Sequence, residues 1–324
     1  MVPPRRPLLD DQKWSFSKGF FRSRGSQASL IGEIMIIHFF KAKSRIGLRN
    51  KPIHQKEFNL GVEDGSDYML SENFLNQLNH NSLDDRTPSC YKISSFRFPK
   101  PEDIGPLQFN KTLAKSVDHF KEIINQTNND RVIQVVIGGD HMVVLPSILA
   151  DLAKGIKPED IGLIHFDSHG DINLSADSPT DNFHGMYLRP LFDKFDIPEI
   201  EALVPNKIPT KNLLMIGNLD LDQGEKTFMA NNAIKTISGL DIENDRARVL
   251  EEFKVFVSQF SHLHISFDID CLDKSIAPAT GIPAENGLFL EEIQPLLEVI
   301  KEHGQFSFDL CEVNPKKRGS RTNY

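Results

Sequence analysis

A chain of 324 residues with 39% hydrophobic and 25% charged residues has the composition of a soluble globular protein, long enough for one sizeable α/β core or two smaller ones. Its net charge of −8 argues against nucleic acid, whose binders carry basic surfaces. No run of 18 apolar residues exists, which excludes a membrane-spanning helix. Cys90, Cys271 and Cys311 are few and scattered, so they offer no disulfide framework or CxxC site and suit a reducing, cytoplasmic setting.

Residues 1–28 are rich in Pro, Arg, Ser and Gly without periodicity and are expected to stay outside the core. In "SLIGEIMIIHFF" (29–40), Glu33 interrupts the apolar part and no small-residue cleavage site follows, so the segment reads as a first strand and not as a signal peptide. Residues 1–40 are thus a poorly ordered leader with a possible first strand, of which 1–34 are expected to be dispensable. Residues 41–324 form one catalytic domain. Between 50 and 108 only "SENFLNQL" reads as helical, and residues 109–126 form an amphipathic helix.

Strand and helix then alternate. "RVIQVVIGG" (131–139) is a buried strand, followed by a helix over 143–154 with Pro146 in its first turn. Strands follow at 161–167, 212–218 and 233–238, then a helix at 243–260, a strand at 262–270, a helix at 289–303 and a last strand at 305–313. This alternation predicts a three-layer αβα sandwich around a parallel, doubly wound sheet.

The polar residues that follow the strands carry the chemistry. Gly138-Gly139-Asp140-His141 follows the first of the buried strands; Asp167, His169 and Asp171 follow the next. Asp268 and Asp270 close a third strand and Glu312 the last. In a parallel sheet these all lie at the carboxyl ends of strands, where open α/β folds place their sites. A single Asp after a strand is more often a helix cap, and His165 or His264, inside a strand, reads as a satisfied packing histidine. The D-x-H-x-D and D-x-D spacings differ, because residues i, i+2 and i+4 of an extended chain point to one side. Carboxylates that close repel unless cations neutralise them, so metal is the expected partner, in two positions. Oxygen ligands favour Mg or Mn, imidazole draws Mn, Fe, Ni or Zn, and Mn satisfies both. Two such ions point to metal-assisted hydrolysis.

"GGDH" (138–141), "DSHGD" (167–171), "SFDIDCLDKSIAPATGIP" (266–283) and "DLCEVNP" (309–315) resemble the ureohydrolases, which include arginase and agmatinase, over about Gly61 to Pro315. The likeness is closest to the arginase pattern. It implies a binuclear manganese centre, with His141, Asp167, Asp171 and Asp268 on one ion and Asp167, His169, Asp268 and Asp270 on the other. It further implies hydrolysis of a small guanidino substrate, L-arginine, to urea and L-ornithine. His184 matches the family's proton-shuttling histidine, and Glu312 its guanidinium acceptor. Asn173 and Thr180 match contacts to an α-carboxylate, and Asp222 and Glu225 contacts to an α-amino group. Met142, Ser168, Gly170, Lys274 and Ile282 depart from the usual wording without deleting a ligand.

Agmatine, formimidoylglutamate or another guanidino acid would be the alternative substrates, and a weakly active ureohydrolase-like binding protein the alternative role. The nine residues after Pro315 stop where ureohydrolases continue into a further helix. The expectation is therefore a domain truncated at its C-terminus, with reduced stability and an altered or absent homo-oligomer.

Overall fold

The computed structural model describes residues 36–49, 59–80, 91–127 and 132–317. Among these, eight strands form one all-parallel sheet: β1 (Ile36–Lys43), β2 (Tyr91–Arg97), β3 (Val132–Ile137), β4 (Ile161–Phe166), β5 (Leu213–Ile216), β6 (Lys235–Ile237), β7 (His262–Asp268) and β8 (Phe306–Cys311). Their spatial order is β2-β1-β3-β8-β7-β4-β5-β6. The helices are α1 (Gly65–Met69), α2 (Glu72–His80), α3 (Phe109–Thr127), α4 (Val144–Ala153), α5 (Arg189–Phe192), α6 (Pro198–Glu201), α7 (Gln223–Asn231), α8 (Gly239–Asn244), α9 (Arg246–Val257) and α10 (Leu290–His303).

Two cores flank the sheet, which makes the fold the expected three-layer sandwich. Leu113 and Phe120 of α3, Ile148 of α4 and Phe228 of α7 pack in one. Ile242 of α8, Phe253 of α9 and Ile293 of α10 pack in the other. Both faces of the sheet are covered, so β4 and β8 are buried along their whole lengths; β4 reads as a mostly apolar run, while β8 carries Ser307 and Asp309 inside its apolar pattern. The expected elements are present, with two differences. The helix expected over 243–260 is two, because Asp245 leaves the helical region at φ −154° and its side chain caps α9 by accepting the Arg248 N–H at 3.0 Å. Edge strand β2 has an exposed, Ser-containing pattern with no apolar run to mark it. The leader 1–34, Cys90 and the chain beyond residue 317 lie outside the described residues. Strand β1 runs through residue 40, the expected end of the leader. No helix among the described residues is long and apolar enough to cross a membrane.

The topology decides where the site must be. The four middle strands, β3, β8, β7 and β4, come from three separate regions of the chain, and their carboxyl ends meet at one edge. Gly139 sets the entry to this edge. Its N–H donates to Ala42 O at 2.9 Å, and the following Asp140 N–H donates to Ser44 O at 3.1 Å. A Cβ on Gly139 would lie 1.9 Å from the Ser44 carbonyl oxygen, a backbone atom that has nowhere to go. Gly139→Ala is expected to destabilise the fold by about 1–3 kcal/mol, the cost of overpacking. An unchanged urea-unfolding midpoint would contradict this.

Candidate metal centre

His141 opens a short 3-10 turn after β3, and its backbone N–H donates to Glu312 Oε1 at 2.8 Å, which ties the β3 turn to the end of β8. Asp167 follows β4, and Asp268 ends β7. The expected convergence is present, but extended alternation does not produce it. The chain bends at Ser168 and His169, Asp171 sits in the left-handed region at φ 50°, and Ile269–Cys271 is a 3-10 turn. Asp167 Oδ1 accepts the His169 N–H at 2.7 Å, and Asp268 Oδ1 accepts the Asp270 N–H at 2.8 Å. Each aspartate therefore folds its own successor back toward the site. Glu312 also has positive φ, 63°, a conformation unfavourable for a glutamate and found where function fixes the geometry.

Two clusters result, and they share Asp167. In the first, His141 Nδ1 lies 3.0 Å from Asp167 Oδ2, 2.8 Å from Asp171 Oδ2 and 3.2 Å from Asp268 Oδ2. In the second, His169 Nδ1 lies 3.3 Å from Asp167 Oδ1 and 3.2 Å from Asp270 Oδ2. The buried atoms His141 Nδ1 and Asp167 Oδ2 make no hydrogen bond despite this proximity. Buried polar atoms without partners are costly, and a cation on the shared side of these atoms removes the cost. The nitrogen-and-carboxylate donor set, free of thiolate, fits a divalent metal.

The electrostatics agree. Burial, reinforced by the charges of Asp270 and Asp167, holds the Asp268 carboxyl well above its usual range. Burial and the Asp167 charge push Asp270 up to about 6, and the same two causes raise Asp171. Negative charge is thus crowded here beyond what the histidines offset, the condition that a cation relieves.

His169, Asp171, Asp268 and Asp270 line an open cleft of about 220 Å³, with the buried His141 and Asp167 next to them. Asn173, Thr180, His184, Asp222, Glu225 and Glu312 all line it. Asn173 Nδ2 donates to Asp222 Oδ2 at 2.8 Å, so these two arrive as a pair at the rim, with Asn173 Oδ1 unpaired. Glu225 is buried, and its oxygens accept the N–H groups of Asp222 at 2.8 Å and Ile172 at 3.3 Å, capping α7. Burial pushes its pKa up to about 8. His184 Nδ1 is 3.4 Å from Glu312 Oε1, and Asn59 Nδ2 donates to Glu312 Oε2.

Sequence reasoning missed four contributors: Asn59, His165, Tyr187 and Ser266. Asn59 and Tyr187 reach the site from segments that no spacing rule links to it, whereas His165 and Ser266 stand two residues before Asp167 and Asp268, on the same alternation, and are marked by it. His165 is only half the satisfied packing histidine expected: Nδ1 lies 3.1 Å from the Tyr187 hydroxyl, while Nε2 is buried without a hydrogen bond, 3.3 Å from Asp167 Oδ2. His264 does fit that description, held between Asp151 and Asp309 at 2.7 and 2.8 Å.

A sequence model of the arginase family matches residues 48–323. The chain belongs to the arginase family. The arginase of Staphylococcus aureus (strain COL) is 31% identical over 264 residues, covering 79% of this chain and 85% of that relative. Among solved structures, Entamoeba histolytica arginase in complex with L-ornithine superposes with a TM-score of 0.72 at 22% identity, over 89% of this chain and 94% of that one. The agmatine ureohydrolase of Thermoplasma volcanium shares the fold with a TM-score of 0.57 at 17% identity, over 89% of this chain and 84% of that one. Arginase-family hydrolases are metal-dependent, and the candidate centre described above is where this enzyme carries suitable donors.

Two of this arginase-family chain's departures acquire physical roles. The Ser168 hydroxyl donates to Asp270 Oδ1 at 2.8 Å and steadies that carboxylate. A Cβ on Gly170 would lie 2.7 Å from the Glu225 carboxyl carbon, so glycine there leaves room for the α7 cap. Met142 is fully buried core, and Ile282 is half-exposed on the cleft wall.

Proposed function

We propose that this chain hydrolyses L-arginine to urea and L-ornithine with two manganese ions. The observation that carries the reading is the pair of histidine–carboxylate clusters sharing Asp167, four members of which line one cleft together with the Asn173–Asp222 pair. His141, Asp167, Asp171 and Asp268 would hold one ion, and Asp167, His169, Asp268 and Asp270 the other. Such a pair would supply a hydroxide nucleophile from water at neutral pH.

The protein's own groups do the rest. Glu312 takes the guanidinium by charge-assisted hydrogen bonds, the strongest neutral-water recognition available for that group. Its position is held from behind by the His141 N–H and by Asn59. Water adds to the guanidinium carbon, the bond from that carbon to the chain nitrogen breaks, and the departing amine needs a proton. With Nδ1 turned to Glu312, the Nε2 of His184 is the atom that delivers it. Asn173 and Thr180 meet the α-carboxylate. Asp222 supplies the charge for the α-ammonium, whereas Glu225, whose pKa of about 8 leaves it largely protonated near neutral pH, shapes the pocket and fixes Asp222 through its N–H.

Agmatine lacks the carboxylate, so the rim discriminates. Manganese-loaded protein is expected to release urea from arginine with a kcat/KM at least about a hundredfold above that for agmatine, because a site built to hydrogen-bond a group loses heavily when the group is missing. Asn173→Ala is expected to raise KM for arginine and leave agmatine use unchanged. Equal use of the two substrates by the wild type would overturn the arginine assignment and favour an agmatine hydrolase.

A further inference from the structure

On the buried side of His141 lies a hydrogen-bonded group that none of the roles above uses. The Tyr187 hydroxyl, fully buried, is 2.8 Å from Ser266 Oγ, 3.1 Å from His141 Nε2 and 3.1 Å from His165 Nδ1. His141 Nε2 is itself 2.7 Å from Ser266 Oγ. The His141 and His165 rings stack with centroids 5.3 Å apart. On the far side of that stack, His165 Nε2 faces Asp167 Oδ2 at 3.3 Å, both atoms lacking a hydrogen bond.

Counting protons orders this group. If His141 offers Nδ1 to a metal, its single proton sits on Nε2 and must be donated, and the nearest acceptor is Ser266 Oγ. The Ser266 proton then goes to the Tyr187 oxygen. The Tyr187 proton has His165 Nδ1 as its remaining acceptor, which places the His165 proton on Nε2, facing Asp167 Oδ2. His141, Ser266 and Tyr187 each donate their one proton to the next member, and the His165 proton faces Asp167 Oδ2 at 3.3 Å. The chain runs in one direction and both its ends are proposed metal ligands.

We infer that Tyr187 and His165 are positioning residues for the metal centre: through Ser266 they lock His141 in the tautomer that bares Nδ1, and they steady Asp167 from behind. Outer partners of metal ligands act in this way, fixing tautomer and orientation. The inference rests on the metal reading proposed above.

The test uses the full chain, stripped of metal with a chelator and titrated with Mn²⁺ by calorimetry. Tyr187→Phe keeps the ring and removes one link. It is expected to weaken the ion at His141 by about 10–100-fold, as outer-partner changes do, while the ion at His169 and Asp270, which meets the chain only through the shared Asp167, is weakened clearly less. Ser266→Ala breaks the same chain elsewhere and is expected to give the same selective loss, and the double variant no further loss, since a chain is broken only once. Unchanged binding in both single variants overturns the inference, as do equal weakening of both ions or losses that multiply in the double variant. Two ions bound by the wild type leave the metal reading standing in each of those cases. A wild type that binds no Mn²⁺ overturns that reading and this inference together.

Discussion

Asp268→Ala is expected to abolish turnover while leaving the fold intact. Asp268 ends β7, and its two oxygens act differently: Oδ1 accepts the Asp270 N–H at 2.8 Å, and Oδ2 faces His141 Nδ1 at 3.2 Å. Removing it takes a ligand from both proposed ions and also frees the turn that aims Asp270. Metal catalysis supplies several kcal/mol of transition-state stabilisation, and 1.36 kcal/mol is tenfold in rate, so the loss is at least about 10³-fold in kcat/KM. The fold has little reason to suffer. Burial and two neighbouring carboxylates hold Asp268 at a raised pKa in the absence of a cation, so its removal relieves repulsion. The metal-free variant should unfold at the wild-type urea midpoint or above it. Wild-type urea release by Asp268→Ala, with two ions bound, would contradict the assignment.

The second large effect is in stability and lies away from the cleft. His264, fully buried on β7, is held by Asp151 of α4 at 2.7 Å and Asp309 of β8 at 2.8 Å. Ser307 donates to Asp151 at 2.9 Å and Ser147 to Asp309 at 2.8 Å. Burial alone would lower the pKa of His264, but Asp309 and Asp151 raise it to about 9. His264→Leu leaves two buried carboxylates without their shared cation and is expected to cost about 3–5 kcal/mol, the usual result of breaking a buried ion pair from one side.

The pH dependence follows from the sign of the shift. A histidine at 6.5 when unfolded and about 9 when folded stabilises fully below pH 6.5. That contribution, on the order of 3 kcal/mol, fades as pH rises through 9. Asp151, held well below its usual value by Lys154, His262 and His264 against the effect of burial, keeps its own contribution throughout this range. The stability gap between wild type and His264→Leu should therefore be widest near pH 6.5 and narrow toward pH 9.5 in urea-unfolding curves. A gap below about 1 kcal/mol, the ordinary range for a single substitution, or one indifferent to pH would contradict the account.

Much of this molecule was readable from the order of its residues. Buried parallel strands announce themselves as apolar runs, and β3, β4, β7 and β8 each end on polar residues too expensive to bury for packing alone. That is why the candidate metal-centre residues can be collected from the sequence. The manner of their convergence was not readable, since it depends on a bend at Ser168, a left-handed Asp171 and a 3-10 turn after Asp268. Tyr187, Ser266, His165 and Asn59 were hidden for another reason. Tyr187 and Asn59 act through partners far away in the chain and carry no periodic signal, while His165 and Ser266 share the alternation of the ligands but read as ordinary strand residues until their partners are in place. Strand β2 was lost because an edge strand with an exposed face needs no apolar pattern. Glu225 has a second role that its position in the sequence does not announce: the carboxyl lines the cleft as expected, and its oxygens also accept the N–H groups of Asp222 and Ile172.

The central claim is that two metal ions sit between His141 and His169 with Asp167 shared between them. An anomalous difference map from crystals of the full chain soaked in Mn²⁺ tests it most directly. The account predicts two peaks per chain, one in contact with His141 Nδ1 and the other with His169 Nδ1, each touching one oxygen of Asp167. A single peak, peaks elsewhere, or none at saturating Mn²⁺ would contradict it.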